Sequence, residues 1–388
     1  MKRSIMLFTS YCLILSFYAS MTYGDSTRNP NNTFYLGSHL CRVPQPELSE
    51  MLADMEILKK NGFNLIKIQT HWLSDEPVEG QYDFSHYERL IQHAEELGMD
   101  VYIGLTCEQA PLWLYEKYPA CRMVGVHGVP IIYETQSTLP ADGKPGPCFD
   151  HPDAMAKQIQ YIQSMVKALG KYKNIAVWNT WQEIGYWPSW TIGEPQVCYC
   201  ENTLKHFRRW LKQKYGSLEE VNRKWKTNFP DWKYIGPNRQ SSIALPQDID
   251  WGEFMDNEQV ANILRARVQA IKEVDPLKRP VFAHKGSPNI ASGQDWTYAG
   301  VLDFLGSSSY PAWGPFQDWD DQAPGRVKRV SKYQGLLTEM WSALAMNFDY
   351  IRSVNQEGHP VWAAEFQGGP ISSGFHKGRV PSADDIRR

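Results

Sequence analysis

The feature that most constrains this chain is a repeat in which an amphipathic helical run stops at a glycine and a short apolar strand follows. Residues 47–61 put Leu48, Met51, Leu52, Met55 and Leu58 at helical spacing and stop at Gly62. An apolar run at 63–69 comes next, with His71 and Trp72 at its exit. The pattern recurs: 84–97 stops at Gly98 before 100–105, and 153–169 stops at Gly170 before 175–181. Strands alternating with helices in this way predict a parallel sheet built from βαβ units.

Adding a first strand at 33–40 and later ones at 280–283, 301–307 and 360–364 brings the count to seven. Helices are expected at 200–215, 218–225, 250–274 and 336–354, and a long Gly- and Pro-rich loop at 106–150. The expected fold is α/β, a (β/α)8 TIM barrel lacking its eighth strand. Ser382 to Asp385 carries the cap and acidic first turn of a new helix, yet the chain stops at Arg388. We therefore expect a barrel truncated at its C-terminus, with two unpaired sheet edges.

Residues 1–24 have a basic start (Lys2, Arg3), a short apolar core and a small-residue exit at Gly24, the layout of a cleaved signal peptide. Residues 25–388 then form one domain, secreted or periplasmic, with no membrane span after cleavage. Forty basic and 43 acidic residues nearly cancel, and no basic block suits nucleic acid. Six cysteines follow the signal segment, and they allow 15 pairings.

In a barrel of this kind, reacting side chains come from the carboxyl ends of several strands. The run at 175–181 leads into Gln182 and Glu183, with Trp181, Tyr186 and Trp187 around them, and Val361-Trp362-Ala363-Ala364-Glu365 has the same form. Burying an unpaired carboxylate is costly, so two of them at strand ends point to function. The exits of strands four and seven face each other across a closed barrel. Carboxyl groups about 5–5.5 Å apart suit retaining glycoside hydrolysis, with Glu183 as acid/base and Glu365 as nucleophile. Glu339, in a helix-like run, is the rival nucleophile. His71, His284 and Trp313 lie at strand exits and are candidates to line a sugar subsite, with plain packing the equal alternative. Trp113 and Trp187 are the candidate aromatic walls, against which a sugar stacks its C–H face.

Further motifs run through the chain: Trp72 with Glu76-Pro77, Gly80-Gln81-Tyr82-Asp83-Phe84, Pro111-Leu112-Trp113-Leu114, Lys117-Tyr118-Pro119, Phe207-Arg208-Arg209-Trp210-Leu211, Lys214-Tyr215-Gly216-Ser217-Leu218, Ser309-Tyr310-Pro311 and Glu365-Phe366-Gln367. Together with Cys198-Tyr199-Cys200 and Trp225, they make the chain resemble the glycoside hydrolase family 42 β-galactosidases, retaining (β/α)8 glycosidases. The resemblance implies removal of terminal non-reducing β-D-galactose from oligosaccharides, with Glu183 as acid/base, Glu365 as nucleophile and Tyr310 beside the nucleophile. It implies no cofactor for the chemistry.

Two residues depart from the family pattern. Gln182 stands where the family has an Asn whose amide meets the sugar 2-hydroxyl. Lys67 stands where an Arg is common, keeping the charge but losing the bidentate fork. Family members commonly continue into a final strand, a trimerisation domain and a small β domain, so a full-length parent would be a homotrimer. The alternatives are an exo-glycosidase for a β-arabinopyranoside, β-fucoside or β-glucoside, or a non-catalytic sugar-binding barrel or inactive fragment.

Some family members hold a structural zinc through four cysteines. Cys148, Cys198 and Cys200 resemble three of these, but the fourth position is Thr203, so the thiolate set is incomplete. His206 is the substitute to consider. A disulfide between Cys148 and the Cys198/Cys200 pair is an expectation of at least equal weight in an oxidising compartment.

Overall fold

Seven parallel strands run through one sheet in chain order: β1 (Gly37–Leu40), β2 (Leu65–Gln69), β3 (Asp100–Gly104), β4 (Ile175–Asn179), β5 (Val281–Lys285), β6 (Phe304–Ser309) and β7 (Ala363–Phe366). The computed structural model describes residues 33–40, 46–131, 146–185, 197–239, 245–286, 294–309, 345–366, 372–373 and 376–377. The expected signal segment lies outside them. Parallel neighbours require a crossover from the end of one strand to the start of the next. Helices Leu48–Lys60, Ser85–Glu96, Pro152–Leu169 and Val260–Val274 lie on these crossovers. The seven strands are those of an incomplete (β/α)8 barrel, and among the described residues β1 and β7 each pair on one side only.

Several boundaries differ from the sequence expectation, and the largest difference bears on the site. β4 stops at Asn179 rather than at 181, because the Trp181 N–H turns back to Asn179 Oδ1 at 3.2 Å. A local side-chain acceptor has replaced the ladder there. β5 runs on through His284 to Lys285, so His284 lies within the strand rather than past it. The single helix expected at 250–274 is instead helix Pro246–Phe254, a π-helical turn Met255–Gln259 and helix Val260–Val274. Of the helix expected at 336–354, residues 345–354 are described and helical.

The two faces of the sheet do different work. Outward residues such as Ile66, Ile68, Val101, Ile103, Trp178 and Leu305 pack with the surrounding helices in the main core. Inward, Leu65, Tyr102, Val177, Phe282 and Phe304 cluster with Ala364 and Trp362. Phe282 stacks on Phe304 at 4.8 Å and meets Trp362 edge-on at 5.3 Å. This interior cluster curls the sheet so that its ends approach. The Tyr102 hydroxyl of β3 donates across the interior to the Ala364 carbonyl of β7 at 2.9 Å, and Tyr35, just before β1, meets Trp362 at 5.4 Å.

The glycine stops have two causes. Gly62 and Gly98 adopt φ of 86° and 63°, the left-handed conformation that ends a helix cheaply only at glycine. Gly170 needs room instead, since a Cβ there would lie 2.5 Å from Val166 O and 2.9 Å from Pro276 Cδ.

Asp75 is buried below the exit of β2. Tyr161 Oη donates to it at 2.7 Å, Tyr87 Oη at 2.9 Å and the His71 N–H at 3.2 Å. Burial outweighs these donors and pushes its pKa up to about 7. The folded value exceeds that of an unfolded aspartate, about 3.9. The contribution to stability is therefore whole below about pH 4 and fades as pH rises toward 7. Denaturant titrations between pH 4 and 7 should show stability falling over this window, and Asp75→Asn should remove that part of the slope.

Candidate active site

Side chains two residues apart on a strand share a face, so the apolar interior layer fixes what lies above it. Two residues on from Leu65, Tyr102, Val177, Phe282 and Phe304 come Lys67, Gly104, Asn179, His284 and Gly306. The interior thus changes from apolar to polar or small toward the carboxyl ends of the strands. A register shift between Ser307 and Ser308 brings Ser308 level with Glu365 on β7. Bulges of this kind re-aim side chains beside functional sites.

The two glutamates proposed from sequence do meet. One oxygen of Glu183, one of Glu365 and a ring nitrogen of His284 all lie within 4.8 Å of one another. Lys67 Nζ donates to Glu365 Oε1 at 2.7 Å and to Gln182 Oε1 at 2.8 Å, while Gln182 Nε2 donates to the same Glu365 oxygen at 2.6 Å. The Lys67 and Glu365 side chains are only 4% and 8% exposed. His39 Nδ1 of β1 approaches Glu365 Oε1 to 4.0 Å. Glu183 Oε1 accepts from the Ser308 hydroxyl at 2.8 Å.

The segment carrying Gln182 and Glu183 lies past the end of β4 and is held from two sides. The Thr180 N–H donates to Phe282 O and the Ile184 N–H to His284 O, both at 2.8 Å, so β5 brackets the turn. Arg267, fully buried on helix Val260–Val274, donates to Thr180 O at 3.1 Å and lies 4.1 Å above the Trp181 ring. Its charge is met by Glu108 Oε1 at 2.7 Å, in the segment after β3. Glu183 itself has φ of 49°, a left-handed conformation that costs a non-glycine residue about 1–3 kcal/mol. Gly286 closes the pocket around it, since a Cβ there would lie 3.3 Å from Glu183 Oε1 and 3.4 Å from its Cδ.

His284 is wholly buried in this layer. Its Nδ1 lies 3.1 Å from Asn179 Nδ2, and its Nε2 has no hydrogen-bond partner among the described residues. Burial, with the Lys67 charge adding to it and Glu365 opposing, pushes its pKa down to about 3.

Other candidates are placed differently. His71 Nδ1 pairs with Gln109 Oε1 at 2.7 Å, and the Trp113 indole donates to Glu76 O at 2.9 Å while packing on the main core. Tyr310, Trp313, Trp187 and the rival Glu339 lie outside the described residues. Ser308, Asn179, Arg267 and Gly286 were not anticipated. A signal existed for two of them: Asn179 interrupts an apolar strand, and Arg267 sits among Ile263, Leu264, Val268 and Ile271 on the buried helix face.

The cysteine cluster forms a separate group in a satellite core. The sulfurs of Cys148, Cys198 and Cys200 lie within 4.8 Å of one another, and the Thr203 hydroxyl takes the fourth corner, 3.2 Å from Cys148 Sγ and 3.4 Å from Cys200 Sγ. The expected disulfide is not formed, because Cys148 and Cys200 Sγ stand 3.5 Å apart, far beyond the ~2.05 Å of a bond. Nor do these residues fit a four-thiolate zinc site. The fourth group is a neutral hydroxyl already bonded to two of the sulfurs, and His206 turns to Asp150 Oδ1 at 2.9 Å instead. Hydrogen bonding with Cys148 and Cys198 lowers the pKa of the Cys200 thiol, whereas burial raises that of Cys198.

A parallel barrel that brings a glutamate past β4 close to a glutamate on β7 presents the pair of carboxylates that glycoside hydrolysis uses. The family model described as Beta-galactosidase, that of glycoside hydrolase family 42, matches residues 44–382. The β-galactosidase LacZ of Heyndrickxia coagulans is 26% identical over 357 residues, covering 86% of this chain and 51% of that protein. The β-galactosidase bgaB of Geobacillus kaustophilus is 26% identical over 235 residues, 58% of this chain and 32% of that protein. Among solved structures, a β-galactosidase from the psychrophilic Marinomonas ef1 superposes with a TM-score of 0.73 at 19% identity, covering 91% of this chain and 51% of that one. The chain belongs to glycoside hydrolase family 42. It spans about a third to a half of the length of these curated relatives.

Removing one partner of a buried ion pair costs about 3–5 kcal/mol, because the other charge stays buried. Lys67→Met should therefore lower unfolding stability by roughly that amount, with Lys67→Arg much milder. Denaturant midpoints with unchanged m-values would check both.

Proposed function

We propose that this protein is a retaining glycoside hydrolase that removes terminal β-D-galactose from β-galactosides. The observation that carries the reading is the short separation of the Glu183 and Glu365 carboxylates, with one oxygen of each within 4.8 Å. A double displacement uses carboxyl groups about 5–5.5 Å apart, whereas inversion needs about 6.5–9.5 Å to seat a water.

In the first step, Glu365 attacks the anomeric carbon as the glycosidic bond breaks, and Glu183 passes its proton to the leaving oxygen. Lys67 and Gln182 both donate to Glu365 Oε1 and hold the carboxylate in place for the attack. In the second step, a water oxygen attacks the anomeric carbon, its proton goes to Glu183, and the bond to Glu365 breaks. Ser308 donates to Glu183 Oε1 and orients this carboxyl group for the transfer. The family membership, and the β-galactosidase activity by which the relatives are named, support galactose as the sugar.

A second reading, a different exo-glycosidase specificity, is favoured by one feature. The Gln182 amide is engaged at both ends, by Lys67 and by Glu365, where the family pattern has an Asn serving the sugar 2-hydroxyl. The N-terminal pattern of residues 1–24 supports secretion or export to the periplasm.

Glu365→Gln should lower kcat on an aryl β-galactoside at least ~10³-fold, and NMR of the wild-type reaction should show β-galactose formed first. Undiminished activity in the variant, or the α anomer first, would remove this reading. A panel of aryl β-galactoside, β-arabinopyranoside, β-fucoside and β-glucoside separates the two specificities. Gly286→Ala should push the Glu183 carboxylate aside and lower kcat roughly 10–100-fold without a matching loss of thermal stability.

A further inference from the structure

Two hydrogen bonds fix the protonation of His284. The Trp181 N–H occupies Asn179 Oδ1, which orients the amide so that Nδ2 is the group 3.1 Å from His284 Nδ1. An amide nitrogen only donates, so Nδ1 must accept, and a neutral ring whose Nδ1 accepts carries its proton on Nε2. That Nε2–H is buried with no partner among the described residues, an arrangement that folded proteins rarely leave without a use. A ring nitrogen of His284 lies within 4.8 Å of an oxygen on each catalytic carboxylate. The charged groups facing it are Lys67 of β2, Glu365 of β7 and Glu183 past β4.

In the double displacement proposed above, negative charge starts on Glu365 and rests on Glu183 once the proton has left and the glycosyl ester has formed. We propose that His284 is a positioning residue whose Nε2–H serves the two carboxylates in turn, bonding whichever one carries the charge. It neither gains nor loses a proton. Burial beside Lys67 keeps the ring neutral across the working range, so it does not compete with Glu183 as the acid. Contacts that are long in the free site commonly tighten when substrate binds. The inference rests on the two-glutamate reading.

Histidine-selective ¹⁵N NMR on the whole chain should show His284 with Nε2 protonated, Nδ1 unprotonated and no titration between pH 5 and 8. His284→Phe keeps a ring without the N–H, and His284→Gln keeps an N–H near the same place. The Phe variant should lose ~10²-fold in kcat, a typical loss for one preorganised donor. The loss should appear with both a dinitrophenyl and a poor-leaving-group aryl β-galactoside, because both chemical steps are served, and KM should change little. The Gln variant should recover at least tenfold of the loss.

Full activity in the Phe variant, no recovery in a folded Gln variant, or a ring that titrates in this window would overturn the inference. If the Phe variant does not fold, the NMR and the Gln variant decide. Glu365→Gln assayed alongside distinguishes the failures: an active variant sinks the two-glutamate reading, whereas an inactive one beside a fully active His284→Phe sinks only the role of His284.

Discussion

The Lys67 ammonium, held between Gln182 and Glu365 and almost out of water, is the contact on which the rest of this site depends. It joins β2, the segment after β4, and β7, three parts of the barrel far apart in the chain. A carboxylate this deep would be strongly destabilising without a cation. The tie also supports β7, which among the described residues pairs only with β6. Side chains link it to the rest of the sheet: Tyr102 to the Ala364 carbonyl, Tyr35 against Trp362, and Lys67 to Glu365.

Stability and function are divided between layers of one interior. The lower layer, Leu65, Tyr102, Val177, Phe282 and Phe304, is apolar or aromatic and stabilises the curled sheet. Two residues further along, Lys67, Asn179 and His284 are polar and costly to bury, and they are kept in place by one another. Arg267 extends the arrangement outward. It anchors Thr180 and Trp181 from a helix, and its charge is answered by Glu108. The left-handed conformation of Glu183 persists because this clamp and the β5 backbone hold the turn on both sides.

Much of this was legible in the sequence, for a physical reason. Parallel strands buried on both faces read as apolar runs, and glycine stops mark the helices between them, so all seven strands and both glutamates could be placed. Strand ends were less legible. β4 stops early through an Asn179 side-chain contact that no periodicity records, and β5 continues through a histidine that looked like an exit residue. Lys67 was recognised as a departure from the family, but its role is tertiary: from a strand 115 residues before Gln182, it supplies two donated bonds where a fork was expected. Ser308 and Gly286 act through tertiary proximity that no sequence pattern records, and the cysteine cluster shows the converse. Its spacing suggested a disulfide or a metal, whereas the described geometry is three thiols closed by a threonine hydroxyl.

Glu365 is proposed to attack the sugar while Glu183 serves as acid and base. The most direct measurement is covalent trapping with an activated 2-deoxy-2-fluoro-β-galactoside, followed by peptide mass spectrometry of the inactivated protein. This assignment predicts one fluorogalactosyl group per chain, carried on the peptide containing Glu365 and absent from Glu365→Gln. A label on Glu183 or Glu339, or turnover with no covalent adduct at all, would contradict it.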